Sequence, residues 1–366
     1  MVNQIFGAFL RLGLTSFGGP TAHIGYFRTE FVLRRGWLSE AEFAERLAIA
    51  QFLPGPASSQ LGFAIGLHRG GVAGALAAFL GFTLPSALLM TLAGLSAQVL
   101  PGGAAAGAIA GLKLVALAVV AQALWGMARS LCPDTARRLL ALAACAALLM
   151  LPAAALQIGV IALAAAFGAT RPLPAAAPAQ MAERGRALGP ALALACLLLA
   201  ALPFARPYLG AGALVFGGGH VVLPLLREAL PGVGAETFLA GYGLAQAMPG
   251  PLFTFASYLG AATGGIGSAL IATAAIFAPG FALYALALPL WSWIGANGRA
   301  RGAVAAVNAA VVGVLAAAFL TQILPAGLHD GRAAGIAALL LVLAFSTRLP
   351  PVALVGLGAG LGAALL

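Results

Sequence analysis

The chain has 366 residues, 62% of them hydrophobic and 8% charged, with a formal net charge of +10 and a mean hydropathy of +1.03. So little polar surface cannot coat a water-soluble globule of this length, so soluble enzymes and soluble nucleic-acid binders are excluded and a bilayer protein is implied. The positive balance comes from arginines at the ends of apolar segments, a membrane-topology signal rather than a nucleic-acid footprint.

In chain order, "MVNQIFGAFLRLGL" has no basic leader and no small-residue cleavage site, so no removable signal peptide is expected. A glycine motif, "LTSFGGPTAHI", precedes a charged stretch in which Ser39 and Glu42 have capping-box spacing for a helix leading to Gln51. "QFLPGPASSQ" occupies 51–60, and apolar segments follow at 72–98, 104–128, 137–151 and 153–169. A spanning helix needs roughly 20 apolar residues, so the shorter of these must sit in thin or well-packed surroundings. The basic, proline-rich "TRPLPAAAPAQMAERGRALG" leads to another apolar segment at 188–203. Then come "LVFGGGHVVL", "QAMPGPLFTF" at 246–255, and apolar segments at 266–291, 302–323, 333–347 and 350–366. Cys132, Cys145 and Cys196 lack metal or redox spacing and read as small hydrophobes.

The second half repeats the first. Phe17-Gly18-Gly19 falls on Phe216-Gly217-Gly218, Pro54-Gly55-Pro56 on Pro249-Gly250-Pro251, Gly70-Gly71 on Gly264-Gly265, and Pro85 on Pro279. Order and spacing agree over a long stretch, which marks a duplicated unit. The expected division is a first unit at 1–169, a basic linker with an unpaired central helix at 170–204, and a second unit at 205–366. One unpaired span reverses the second copy if each copy makes an even number of crossings. With the FGG and PGP segments entering and leaving on one side as hairpins, Arg28, Arg34, Arg35, Arg46, Arg69, Arg129, Arg137, Arg138, Arg171, Arg184, Arg186, Arg299, Arg301 and Arg348 share a face. The positive-inside rule makes that face cytoplasmic, leaving Arg206, Arg227 and Arg332 opposite. The fold class is therefore an all-α polytopic membrane protein, two homologous halves forming an inverted repeat with broken or re-entrant helices.

Non-helical backbone at membrane depth is tolerated only where protein or a water-filled cavity satisfies it. Proline stops a helix and glycine permits the redirection, so each PGP should end one helix and start another inside the bilayer. Four helix starts, after Gly19, Pro56, Gly218 and Pro251, could converge and present N–H groups and positive dipole ends to an anion. The candidate set comprises Gly18, Gly19, Pro54, Gly55, Pro56, Gly217, Gly218, Pro249, Gly250 and Pro251, with the hydroxyls of Ser58, Ser59, Thr254 and Ser257 close behind. Kinking for packing is the competing reading. Gln51 and Gln246, three residues before their prolines, either cap the broken backbone or donate to a substrate. Lys113, the only lysine, lies within an apolar stretch and falls on Asn308 in the second copy. It either meets an anion or snorkels. His23 and His220 could carry protons or simply bond locally. The acidic residues between Glu30 and Glu45 read as a solvated, salt-bridged face.

The stretches "FGGPTAHIGYFRTEFV", "GWLSEAEFAERLAIAQFLPGP" and "GLHRGGVAGALAAFLGFTLPS" are echoed by "FGGGHVVLPLL", "LAQAMPGPLFTFASYLG" and "GGIGSALIATAAIFAPGF". Together they resemble the chromate ion transporter family in its long, two-domain form, across nearly the whole chain. The resemblance implies a multi-pass bacterial inner-membrane protein that exports chromate, with sulfate as the chemically similar anion and proton coupling as an expectation. The chain departs from the repeat's symmetry where FGGP becomes FGGG at Gly219. No cofactor, metal or nucleic acid is implied, and a homodimer is possible. With no P-loop lysine, energy would come from an ion gradient. Sulfate uptake or exchange is the alternative. An intramembrane enzyme is disfavoured because every Asp and Glu lies in or near a loop.

Overall fold

The structure, a computed structural model, describes residues 1–17, 19–96, 104–151, 154–174, 188–215, 219–291, 297–328, 330–347, 349 and 351–366. Helix α1 (Val2–Thr15) is followed by α2 (Gly19–Phe27), a π-helical turn (Arg28–Arg34), α3 (Glu40–Phe52) and α4 (Ala57–Ser96). Next come α5 (Ala104–Leu131), α6 (Thr135–Met150), α7 (Ala154–Ala169) and α8 (Leu188–Ala200). The second half carries α9 (Arg206–Leu214), α10 (Val222–Ala229), α11 (Ala235–Ala247) and α12 (Phe255–Ala287). It continues with α13 (Gly298–Ala318), α14 (Gly331–Ser346) and α15 (Pro351–Leu365). Among the described residues, four helices are long and apolar enough to cross a membrane, or five if the pair formed by Leu188–Ala200 and Pro203–Leu214, bent by 113°, counts as one span. The central apolar segment thus ends earlier than 203 and turns sharply into the second repeat.

Both long helices are broken. At Gly70-Gly71 the backbone leaves helical geometry, with Gly71 at φ 60°, and Gly264-Gly265 repeats this with Gly265 at φ 75°. The arms fold back on each other: Gly66 packs on Gly74, and Ser257 Oγ lies 2.6 Å from Thr273 Oγ1. Those two hydroxyl residues would be about 24 Å apart along one continuous helix. Each long helix is therefore a short arm, a glycine turn and a full-length arm.

The first repeat has both its hairpins open to one face. Ile5, near the start of α1, packs on Gly70 and Gly74, while Gly13 backs onto Gly81 and Phe82. Arg35 and Arg69 stack on the Trp37 ring at 5.2 and 5.6 Å, and Arg46 Nη2 is 2.8 Å from His68 Nδ1. The start of α3 and the end of the short arm of α4 thus lie together at this face, with the PGP tip deep between them. The predicted capping box forms: Ser39 Oγ accepts from the Glu42 N–H at 3.2 Å, and Glu42 Oε2 accepts from the Ser39 N–H at 2.8 Å.

The second copy is inverted. Gly94, at the far end of α4, meets Tyr258 and Ala261 near the glycine turn of α12. Conversely, the short arm of α4 meets the far end of α12: Phe63 stacks on Phe281 at 4.7 Å, and Tyr284 Oη donates to the Arg46 carbonyl at 3.5 Å. Start pairs with end in both directions, as two antiparallel copies require. Arg137 and Arg171 line one hollow with Gly302, near the start of α13. Arg206 Nε donates to the Ala200 carbonyl and Arg332 Nη1 to the Leu365 carbonyl. Asp134 caps α6 on the arginine-rich side, and the Arg137 backbone N–H and guanidinium hold its carboxyl below the usual range. Arg184, Arg186 and Arg348 lie outside the described residues.

Candidate functional site

The tips of the two repeats interlock. Gly55 has φ +126°, a region that strains any L side chain, and a Cβ built there would lie 2.9 Å from Gly280 Cα. Gly250 has φ +90°, and its Cβ would lie 2.9 Å from the Phe82 carbonyl oxygen. Each glycine donates its N–H to the carbonyl that closes the first helix of the other repeat: Gly55 to Val215 at 2.7 Å, Gly250 to Ser16 at 2.9 Å. Leaving such a buried donor unpaired costs about 1–3 kcal/mol, so these two protons are held by the protein rather than offered to a solute. Gln60 adds a stitch, with Nε2 donating to the Pro54 and Gly280 carbonyls, both at 2.9 Å. His23 is wholly buried and bonds on both edges, Nε2 to the Ser16 carbonyl at 3.2 Å and Nδ1 with Ser58 Oγ at 3.4 Å.

Beside the first tip lies a cavity of about 620 Å³, within the range of small-molecule sites. Pro20 and Ala57, at the starts of α2 and α4, border it, so two helix N-termini face one space. Gln51, Gly55, His220 and Asn308 line it as well, with Ser130 and Leu131 from the end of α5. No carboxylate lines it among the described residues. Asn308 Oδ1 is buried without a hydrogen-bond partner. His220 Nδ1 lies 2.6 Å from the hydroxyl of the fully buried Tyr242. Two helix N-termini and neutral polar groups on a space lined by no carboxylate among the described residues favour an anion.

The sequence profile named Chromate transporter matches residues 3–169 and 187–363. The chain belongs to the Chromate transporter family. This is a transport family, not an enzymatic one, and membership supports chromate transport by a multi-pass membrane protein in a lipid environment. A chromate transport protein of Pseudomonas aeruginosa is 31% identical over 338 residues, covering 86% of this chain and 79% of that protein. A "Probable chromate transport protein" of Synechococcus elongatus is 28% identical over 87% of this chain and 83% of its own length. A chromate transport protein of Cupriavidus metallidurans is 28% identical over 87% of this chain and 82% of its own length. No solved structure matches.

Within this transporter, the residues singled out from sequence fall into separate places. Gln51, Gly55 and Asn308 meet at the cavity, while Pro54, Pro56, Pro249, Gly250 and Pro251 shape the tips without lining it. Gln246 is 9% exposed, its side-chain amide lying against the Tyr242 hydroxyl rather than at the cavity. The hydroxyls of Ser58, Thr254 and Ser257 bond within the protein, to His23, the Pro251 carbonyl and Thr273. Ser59 Oγ is buried with no partner, away from the cavity lining. Lys113 is not at the cavity. Its Nζ pairs with Glu236 Oε1 at 2.7 Å, and that glutamate side chain is 79% exposed at the start of α11, so the lysine snorkels to the face opposite the arginines. Gly19 opens α2 at φ +74°, and Gly18, Gly217 and Gly218 lie outside the described residues. Gln60 and Ser130 were missed. Gln60 had a signal, being the polar residue one turn into the helix after PGP; Ser130 had none.

Proposed function

We propose that this protein exports chromate across the bacterial inner membrane, coupled to an ion gradient such as that of protons, and that the cavity beside the first PGP tip holds the anion. The observation that carries this reading is the convergence of two helix N-termini with Gln51, His220 and Asn308 on a space bordered by no carboxylate among the described residues. Chromate is a tetrahedral dianion, and four outward oxygens suit donors arriving from several directions. Ser130 and Leu131, which border the cavity, directly follow Arg129 in the chain, one of the arginines the positive-inside rule assigns to the cytoplasm, so a cytosolic anion would reach it first. The curated relatives named for chromate transport support the choice of anion. The tip prolines and glycines act through shape, and Gln51, Asn308 and the helix starts act by contact.

The test is flux of labelled chromate into vesicles reconstituted with the arginine-rich face outward, under an imposed pH gradient. Uptake that the gradient accelerates and that Gln51→Ala weakens is expected. Sulfate moving in place of chromate, or chromate flux indifferent to any ion gradient, would overturn the reading.

A further inference from the structure

The two histidines near the tips are not equivalent. At His23 the Nε2 partner is the Ser16 carbonyl, which only accepts, so Nε2 carries the proton and Nδ1 accepts from Ser58. That ring is consumed by the fold. His220 bonds through Nδ1 to the Tyr242 hydroxyl at 2.6 Å, and it borders the cavity, whereas Tyr242 does not. The other edge of the ring therefore faces the space shared with Gln51 and Asn308.

Tyr242 is fully buried between His220 and the Gln246 side chain, whose amide donates to the phenol oxygen; its own O–H therefore needs an acceptor, and an imidazole nitrogen is a far better acceptor than a phenol oxygen. The phenol proton accordingly points at Nδ1. In a neutral imidazole with Nδ1 accepting, the proton resides on Nε2, the bond at one nitrogen setting the state of the other. We propose that His220 donates a hydrogen bond from Nε2 to the transported oxyanion, and that Tyr242 is the positioning residue that keeps the ring in the tautomer able to do so. This rests on the reading of the cavity as the anion site and names a contact within it. A neutral donor suits transport, because a fixed positive charge at this depth would hold a dianion too tightly to release it. The first repeat carries Leu47 at the position of Tyr242 by the PGP offset, so the arrangement belongs to one copy alone.

The experiment measures the KM of chromate flux in vesicles, with equilibrium binding of labelled chromate to the purified protein alongside. Glutamine places its side-chain N–H close to where Nε2 sits, whereas asparagine places it near Nδ1. His220→Gln should stay within about twofold of the parent, while His220→Asn should raise KM and Kd roughly 10- to 100-fold, the range for one hydrogen bond to a charged group. Tyr242→Phe should raise KM severalfold with Vmax nearly intact. Adding it to His220→Gln should change nothing further, because an amide donor has no tautomer to lose. Equal KM for His220→Gln and His220→Asn, or a Tyr242→Phe penalty that persists on the His220→Gln background, would overturn the proposal. If His220→Asn does not fold, the Tyr242→Phe pair decides. A parent protein that neither binds nor moves chromate would overturn the function reading as well, which separates the two failures.

Discussion

The first and second repeats carry the same PGP turn in two different settings. In the first, Gln51 is exposed and Gly55 borders a cavity. In the second, Gln246 is buried and Gly250 sits against Phe82 and Ser86 of the other copy. The glycine bonds are matched, Gly55 to Val215 and Gly250 to Ser16, so the difference lies beyond them, in side-chain packing and in the 3-10 turn Leu252–Thr254 that only the second copy carries after its PGP. Duplication thus supplies a symmetric scaffold, and sequence divergence places an accessible site at one tip and a packed seam at the other.

The largest effect should come from attacking what the tips share. Gly55→Ala and Gly250→Ala each put a Cβ into a positive-φ position and against the opposite repeat, and each should cost about 2–4 kcal/mol, read as a lowered thermal midpoint in detergent. If only one of them destabilises, the tips are not equivalent anchors. Gln60→Leu, which strips the Pro54 and Gly280 carbonyls of a donor, should cost about 1–3 kcal/mol by the same assay. The glutamines then separate the repeats by function. Gln51→Ala should raise the KM for chromate by about tenfold, whereas Gln246→Ala should leave KM within about twofold while changing stability. Smallest of all is Lys113→Gln. With its partner Glu236 mostly exposed, the pair contributes about 1 kcal/mol or less, and chromate KM should not move.

Much of the architecture was legible because it follows from residues that act locally. Glycine and proline dictate where helices stop, so both tips, both glycine turns and most apolar segments were readable from spacing, as was the Ser39–Glu42 cap. Charge at segment ends groups locally, Arg35 with Arg69 on Trp37 and Arg137 with Arg171 around one hollow. What sequence did not carry was partnership across the fold. Lys113 looked like a mid-membrane cation because nothing nearby marks Glu236, 123 residues away, as its partner. The Gly55 and Gly250 amides looked free because their acceptors lie in the opposite copy. His220 was visible only as an ionisable residue, since its role depends on Tyr242, a full helix later. Exposure at Gln51 against burial at Gln246 is a property of packing, invisible where the two motifs read alike.

The most direct test of the interlocked tips and their cavity is an electron cryomicroscopy map of the protein in lipid discs with saturating chromate. Backbone density should show Gly55 bonded to Val215 and Gly250 to Ser16, with a strong tetrahedral peak bordered by Gln51, His220 and Asn308 and none beside Gln246. Chromate density beside Gln246 or Lys113 instead, or unbroken helices through both PGP segments, would contradict it.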